Sequence, residues 1–479
     1  MATPEELTIT AEVSPPLSVP KRSKRLPRVS EAQFTRIARI SVATVATLVL
    51  LLMLVRLWFI DGVFRTIRIE GPSMAPTLLG AHYHLTCDDC LFEFRVDADG
   101  AARAPRIVCP NCGYREVKLE EAERLAGDVV VMDRWPLLIG SLRRGDVIGL
   151  SQPGMPELAV KRLAALPGET WSAVDGDLVV QGSRVSTLLR HDLTSRLSTV
   201  YDHNHPSRHI SNVDRWLRPT ENHWKITPGK LVFDDQNQTS ARENGSPKPA
   251  DRLPVQWLAY QQWTTWESPA PRTTLSEVLD NDSYNPDSSR LMTRLRDLFF
   301  EAHLTSSGAG TFAVKLRDES KTFQVAISPD TQLLQLFDGT KLVYEKKLAT
   351  NLERGGMLLA GLIDRRVLVA WNGRPIIEHP YRDPIAVRGK IMDPVAIGAS
   401  NVSLTLTEVR IRRDNVIVPP ATFADNDSEV RLGADEIAVL GDNSAVSVDS
   451  RSWPLGSAKT SSVRGLVYRP FWIAPRSAP

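Results

Sequence analysis

The sequence predicts a mainly β fold. Its parts are an N-terminal transmembrane helix, a compact β core, a small cysteine-bearing ribbon within that core, and a large antiparallel β-sandwich inserted into it. Three observations carry this prediction. Ile40 to Val55 contains no charged residue. From Gly127 onward the chain is a series of short Val-, Leu- and Ile-rich runs bounded by Gly-Asp, Pro-Gly or Asn turns, which is the pattern of strands. All four cysteines fall in two Cys-x-x-Cys pairs between Cys87 and Cys112. A chain of 479 residues is too long for one ordinary core. With 42% hydrophobic and 24% charged residues and a net charge of +2 it is globular, and it lacks the basic excess of a nucleic-acid binder.

Residues 1–36 are expected to form a disordered basic tail. The opening stretch is rich in Pro, Ser, Thr and Glu. Lys21, Arg22, Lys24, Arg25, Arg28, Arg36 and Arg39 then face a single acid, Glu31. Residues 37–60 are the predicted anchor. At 1.5 Å per residue, Ile40–Ile60 would cover roughly 31 Å, the thickness of a bilayer core. Arg56 would snorkel near one end, with Trp58 and Phe59 at the interface. The basic block before the span places the N-terminus in the cytoplasm and everything after Asp61 on the outer side of the cytoplasmic membrane. A cleaved signal peptide is the competing reading, but there is no small-x-small site between Trp58 and Phe64.

Beyond the anchor comes Ile69–Leu79, IEGPSMAPTLL, on which the rest of the chain is organised. Pro72 and Pro76 restrict the backbone, so Ser73 lies on an irregular loop and not on a helix. A hydroxyl so placed is either an ordinary turn residue or one aimed at a substrate. Because Ser73 follows Ile60 by 13 positions, it is expected close to the membrane surface. Residues 82–117 are then read as a zinc ribbon. Cys87-x-x-Cys90 and Cys109-x-x-Cys112, the latter in the setting CPNCG, have the spacing of a closed four-thiolate site. Two disulfides are the alternative that a compartment outside the cytoplasm permits. A zinc held by four protein ligands is structural, and His82 and His84 are expected as loop residues and not as further ligands.

GDVVVMDRW, RRGDVIGL, ELAVKRLAALPGE and DLVVQGSRV follow as strand candidates. In the third, alternation puts Ala159, Lys161 and Leu163 on one face. Desolvation among apolar neighbours lowers a lysine from its reference value near 10.4 toward one at which the amine is neutral, as a general base requires. A solvated surface Lys-Arg pair is the plainer reading. The pattern then breaks. Residues 185–425 are read as an inserted sandwich of jelly-roll type, from runs such as GTFAVKLRD, KTFQVAIS, RRVLVAWNG and VSLTLTEVRIRRD. On the order of ten strands are expected. The module is similar to concanavalin-like lectin domains, with a glycan or a protein as candidate ligand. Trp216, Trp224 and Trp257 either stack on sugars or fill the core. Arg290–Phe300 is read as a short connecting helix and Asp280–Ser289 as an exposed loop. The core resumes at 426–479, with a strand at Glu436–Leu440, the turn Gly441-Asp442-Asn443 and a closing strand in GLVYRPFW.

The order GPSMAPTL, GDVVVMDRW, RRGDVIGL, VKRLAALPGE and GDNSAVSVDSR, after an anchor, resembles bacterial type I signal peptidase, a membrane-anchored serine-lysine endopeptidase. The resemblance covers well under half of the chain, as a signal-peptidase-type β core over 61–184 and 426–479. It implies Ser73 as nucleophile, its backbone N–H as oxyanion donor, and Lys161 as general base. It further implies that Ser447 holds the lysine amine, that Asp449 and Arg451 form a supporting ion pair, and that Asp442 shapes the turn. Removal of signal peptides from exported preproteins, without a catalytic cofactor, is the implied reaction. Preproteins, the lipid bilayer and the secretion machinery are the implied partners. Some relatives carry a serine two places before the nucleophile as a second oxyanion donor, where this chain has Gly71. A self-cleaving repressor-type relative lacks an anchor. A different class of reading is a membrane-anchored glycan- or protein-binding module with a vestigial peptidase core, against which the joint presence of Ser73, Lys161 and Ser447 speaks.

Overall fold

The computed structural model describes residues 31–56, 62–104, 106–140, 142–151, 158–185, 197–208, 215–217, 223–235, 256–266, 272–287, 292–319, 321–349, 352–382, 390–418 and 429–469. Most of the expected basic tail, the interfacial Trp58 and Phe59, and the last residues of GLVYRPFW lie outside these.

The chain forms two compact units, the first ending at Gly62. Among its described residues it holds one helix, Glu31–Val55. Gln33–Val55 has a mean hydropathy of 2.3 and is long and apolar enough to cross a membrane, as an anchor or as a signal sequence. The hydroxyls of Thr44 and Thr47 donate back to the carbonyls of Ile40 and Ala43, both at 2.8 Å, so neither presents an unmet polar group to its surroundings.

The second unit begins at Val63 and is built of antiparallel strands. A seven-stranded sheet runs in the order Phe64–Arg68, Val129–Asp133, Val463–Tyr468, Val147–Ser151, Leu158–Ala165, Glu436–Leu440, Ala458–Lys459. One strand from after the long interruption, Val463–Tyr468, therefore lies between strands from before it in the same sheet. A four-stranded sheet also joins the two stretches, because Val430–Arg431 pairs at its edge with Thr170 and Trp171. Leu163, Ile148, Leu150, Ile437 and Val439 close one face of the larger sheet, while Met74, Leu78, Val130, Met132 and Val160 close the other. The side chains alternate between faces with the period of two that a pleated strand imposes.

Between these strands lies a sandwich of an eight-stranded and a seven-stranded sheet. Its core takes Leu231, Phe233, Phe300 and Leu304 from the first sheet and Phe312, Val314, Phe323 and Val325 from the second. The strand count exceeds the expected ten, because short pieces such as Trp216–Leu217 and Trp224–Thr227 are recruited onto the edges. Trp216 and Trp224 are both 3% exposed and belong to the core. Trp257 is half-buried, with Lys315 Nζ lying 3.7 Å from its ring centroid.

Three local expectations are corrected. Asp280–Ser289 is not an exposed loop: its described part is irregular, but Asp280, Tyr284 and Asn285 are buried. The stretch before Phe300 is not a helix: the described residues 292–297 are irregular and Leu298–Ser307 is a strand. Leu298 and Phe300 point into the sandwich core and Phe299 into a separate cluster with Leu359 and Leu368. An apolar run buried on both faces hides the two-residue period and imitates a helix. His82 and His84 are not loop residues but lie in the strand His82–Thr86, the centre of the three-stranded ribbon sheet.

Candidate active site

Ser73 is the middle residue of a single 3-10 turn, Pro72–Met74. Pro72 starts the turn with its preset φ, and the Ala75 amide closes it on the Pro72 carbonyl at 3.1 Å. Met74 is 1% exposed and pins the turn to the core. Beneath it, the Ile69 amide donates to the Asp128 carbonyl at 2.9 Å, and the Leu79 amide to the Asp128 carboxylate at 2.9 Å. The loop passes so close to Gly127 that a Cβ there would lie 1.8 Å from the Ile69 carbonyl oxygen, so only glycine fits.

Lys161 is the fourth residue of Leu158–Ala165 and is 5% exposed. Its Nζ donates to Ser447 Oγ at 3.0 Å. Burial pushes the amine down to about 8. Among the nearby charges, the carboxylates of Asp449 and Asp442 oppose that shift and the guanidinium of Arg451 adds to it. The lysine is therefore partly neutral near pH 8.

Ser447 comes from the block after Glu436–Leu440, which pairs with the lysine strand: Leu440 lies opposite Arg162. Asp449 is fully buried and takes four hydrogen bonds. Arg451 Nε and backbone N reach Oδ1 at 2.9 and 3.2 Å, and Arg451 Nη2 and the Gly441 amide reach Oδ2 at 2.7 and 2.9 Å. Arg451 also donates to the carbonyls of Val418 at 2.5 Å and Ser447 at 3.4 Å. At Gly441 an added Cβ would fall 2.2 Å from Ser447 Oγ and 2.5 Å from the Ser73 carbonyl oxygen. The hydroxyl that binds the lysine and the backbone of Ser73 are thus both packed against one Cα.

Two residues that the sequence reading did not assign complete the cluster. Arg162, next to the lysine but on the opposite face of the strand, makes a bidentate pair with Asp442 at 2.6 and 2.5 Å and donates to the Gly145 carbonyl at 2.7 Å. Asp442 therefore does more than shape its turn, because it ties that turn to the lysine strand. Asn443 holds the serine loop: its amide donates to the Ser73 carbonyl at 3.0 Å and its Nδ2 to the Pro72 carbonyl at 3.1 Å. The Gly-Asp-Asn triplet was a usable signal, since an Asn at a turn carries two side-chain donors beyond its backbone.

The four cysteines are brought together by two tight knuckles. Cys87 and Cys112 Sγ lie 3.6 Å apart, and Cys90 and Cys109 Sγ 3.7 Å. These separations are far from the 2.05 Å or so of an S–S bond and close to the roughly 3.8 Å edge of a tetrahedron with metal–sulfur bonds of about 2.3 Å. The donor set is compatible with a metal ion. His82 turns Nδ1 to the Gly80 carbonyl at 2.8 Å, and His84 lies 3.5 Å from Glu93, so neither joins the thiolates.

The sequence profile of the family described as signal peptidase, peptidase S26, matches residues 39–242. This part of the chain is similar to the signal peptidase family, and the match spans less than half of the 479 residues. The family segment holds Ser73 and Lys161, whereas Asp442, Ser447, Asp449 and Arg451 lie after it. No curated protein matches the chain. Among solved structures, the chain is similar to carbohydrate-binding module CBM66 from Bacillus subtilis, at 11% identity over 43% of this chain and 95% of that one, with a TM-score of 0.22. It is also similar to a protein of unknown function with a galectin-like fold from Bacillus subtilis, at 9% identity over 46% and 99%, with a TM-score of 0.26.

Proposed function

We propose that the chain is a serine-lysine endopeptidase that removes signal peptides from exported preproteins at the outer face of the cytoplasmic membrane. The match of residues 39–242 to the signal peptidase family supports the general activity. The observation that carries the specific reading is a desolvated lysine amine, 3.0 Å from a hydroxyl that packs on the same glycine as the Ser73 backbone. The neutral Lys161 takes the proton of the Ser73 hydroxyl as its oxygen attacks the scissile carbonyl. The tetrahedral oxyanion is met by the Ser73 backbone N–H, a class of donor whose loss costs about 3 kcal/mol of transition-state stabilisation. The lysine returns its proton to the leaving amine, which departs and leaves an ester on Ser73. It then takes a proton from water as the water oxygen attacks the ester, and passes that proton to the departing Ser73 oxygen, which releases the acid and restores both side chains. Ser447 keeps the amine aimed through this cycle. Asp449, Arg451, Asp442 and Arg162 hold the strand and the turn that carry it.

The purified full-length chain in detergent is expected to cleave a preprotein, and Ser73→Ala to abolish cleavage. Mass spectrometry of the two products checks the position of the cut. Persistence of cleavage in Ser73→Ala overturns the assignment of the nucleophile.

The four thiols are proposed to hold a structural zinc. Its role would be to fix the knuckles, with no open position for substrate. Elemental analysis is expected to give a zinc-to-protein ratio close to one, and Cys109→Ser to lower it and to loosen the ribbon to proteolysis. A ratio near zero together with loss of titratable thiols would instead mean two disulfides.

A further inference from the structure

The hold on the serine loop does not end at Asn443. Its Oδ1 accepts a hydrogen bond from Asn285 Nδ2 at 2.8 Å, and its Nδ2 donates to Asn285 Oδ1 at 2.8 Å as well as to the Pro72 carbonyl. The two amides close on each other across 158 positions of sequence, and each residue is 7% exposed. Asn285 belongs to the sandwich insertion, on the segment between the strands Arg272–Ser276 and Leu298–Ser307. Its neighbour Tyr284 is buried against Ala75 and Leu79, which follow Ser73 in its loop.

This segment is itself fixed from both directions. From the sandwich, Arg413 Nη2 donates to the Asp282 carboxylate at 3.0 Å, and that carboxylate also takes the Tyr284 amide at 3.0 Å. From the ribbon, the Asp97 amide donates to the Tyr284 carbonyl at 2.9 Å, and Arg103 Nε reaches Asp287 at 2.7 Å.

The chemistry of an amide makes the pairing directional. Asn443 has one side-chain oxygen and one NH2, and turning the group over exchanges them. With the Asn285 NH2 donated into Oδ1, the Asn443 NH2 must face the Pro72 carbonyl. Without it, water competes for the donor that holds the serine loop.

We propose that Asn285, a residue of the inserted domain, is a positioning residue for Ser73, acting through Asn443. This inference rests on the peptidase reading above. It makes the insertion a structural part of the active site and not a detachable module.

The test uses the full-length chain, a preprotein substrate, and the variants Asn285→Asp, Asn285→Ala, Asn443→Ala and the Asn285→Ala/Asn443→Ala double variant. Asn285→Asp keeps the shape and loses the NH2, and it is expected to lower kcat about tenfold while KM changes less than twofold. Asn285→Ala should do the same, yet cost less than twofold when added to Asn443→Ala, because both act through one contact. Unchanged kcat in both single variants, or equal losses in the two backgrounds, overturns the proposal. Hydrogen exchange of the peptide spanning Pro72–Leu79 supplies a second readout. Exchange there is expected to quicken in Asn285→Ala while that of the sandwich strands is unchanged. If the wild-type chain cleaves no preprotein, the peptidase reading fails by itself. The exchange arm still decides the coupling: faster exchange supports it and unchanged exchange overturns it.

Discussion

Lys161→Met is expected to lose at least about a thousandfold in kcat/KM and, at the same time, to make the protein more resistant to urea at pH 6. The two effects have one cause. The amine is 5% exposed and burial brings it down to about 8, against a reference near 10.4 in the unfolded chain. Below pH 8 both states are protonated, and the folded state bears the full cost of a buried charge, on the order of 3 kcal/mol. Between pH 8 and 10.4 the unfolded chain binds the extra proton and the folded one does not, so stability rises with pH across that window. Methionine fills the same channel without a charge. It should therefore gain on the order of 1–3 kcal/mol at pH 6 and progressively less toward pH 10. Activity runs the same way in pH but by a different route. In the free enzyme only the neutral amine is a base, so kcat/KM of the wild type should climb with pH and level off above about 8. A flat profile between pH 6 and 9, or cleavage by Lys161→Met within tenfold of wild type, removes the lysine from the mechanism.

The strands of the core were legible because Gly-Asp and Pro-Gly turns frame them and because one face of each is apolar: VVVMD, VIGLS and LAVKRLAA all appear as the two-residue period suggests. That the chain resumes the core after residues 185–425 was expected from the order of the blocks, but the interleaving of the two sets of strands in one sheet was not. Leu298–Ser307 escaped because its consecutive apolar residues are buried on both faces. The polar part of the site was harder for a different reason. Arg162 carries no mark in Lys-Arg of its distant carboxylate, and Asn285 none in a loop of the insertion of its partner 158 residues later. Such contacts follow from tertiary placement alone, and periodicity describes only what happens within an element. Lys161 and Ser447 could be read together only from the order of five blocks along the chain, because no spacing rule connects residues 286 positions apart.

Asp449→Ala is expected to destabilise the protein by about 3–5 kcal/mol, the cost of leaving a buried cation without its partner. Asp449 is fully buried and Arg451 is 6% exposed. The alanine would also strand the Gly441 amide, which donates to the same carboxylate beside the Ser73 carbonyl. The bonds from Arg451 to the carbonyls of Val418 and Ser447 survive, but they hold the guanidinium in place without neutralising it. Asp449→Asn separates charge from shape. It keeps an acceptor for Arg451 and should lose less stability, so that enough folded enzyme is left to assay. Its informative property is the pH profile. The Asp449 charge raises the affinity of Lys161 for a proton, while that of Arg451 lowers it. Removing the carboxylate alone therefore leaves the Arg451 cation opposed by Asp442 only, and the rise of kcat/KM with pH should move to lower pH. Arg451→Met removes the opposite influence and should move it to higher pH. Urea titration of Asp449→Ala and pH–rate profiles of the two milder variants check this. Displacement of both profiles in the same direction would mean that the pair acts on the lysine through packing and not through charge.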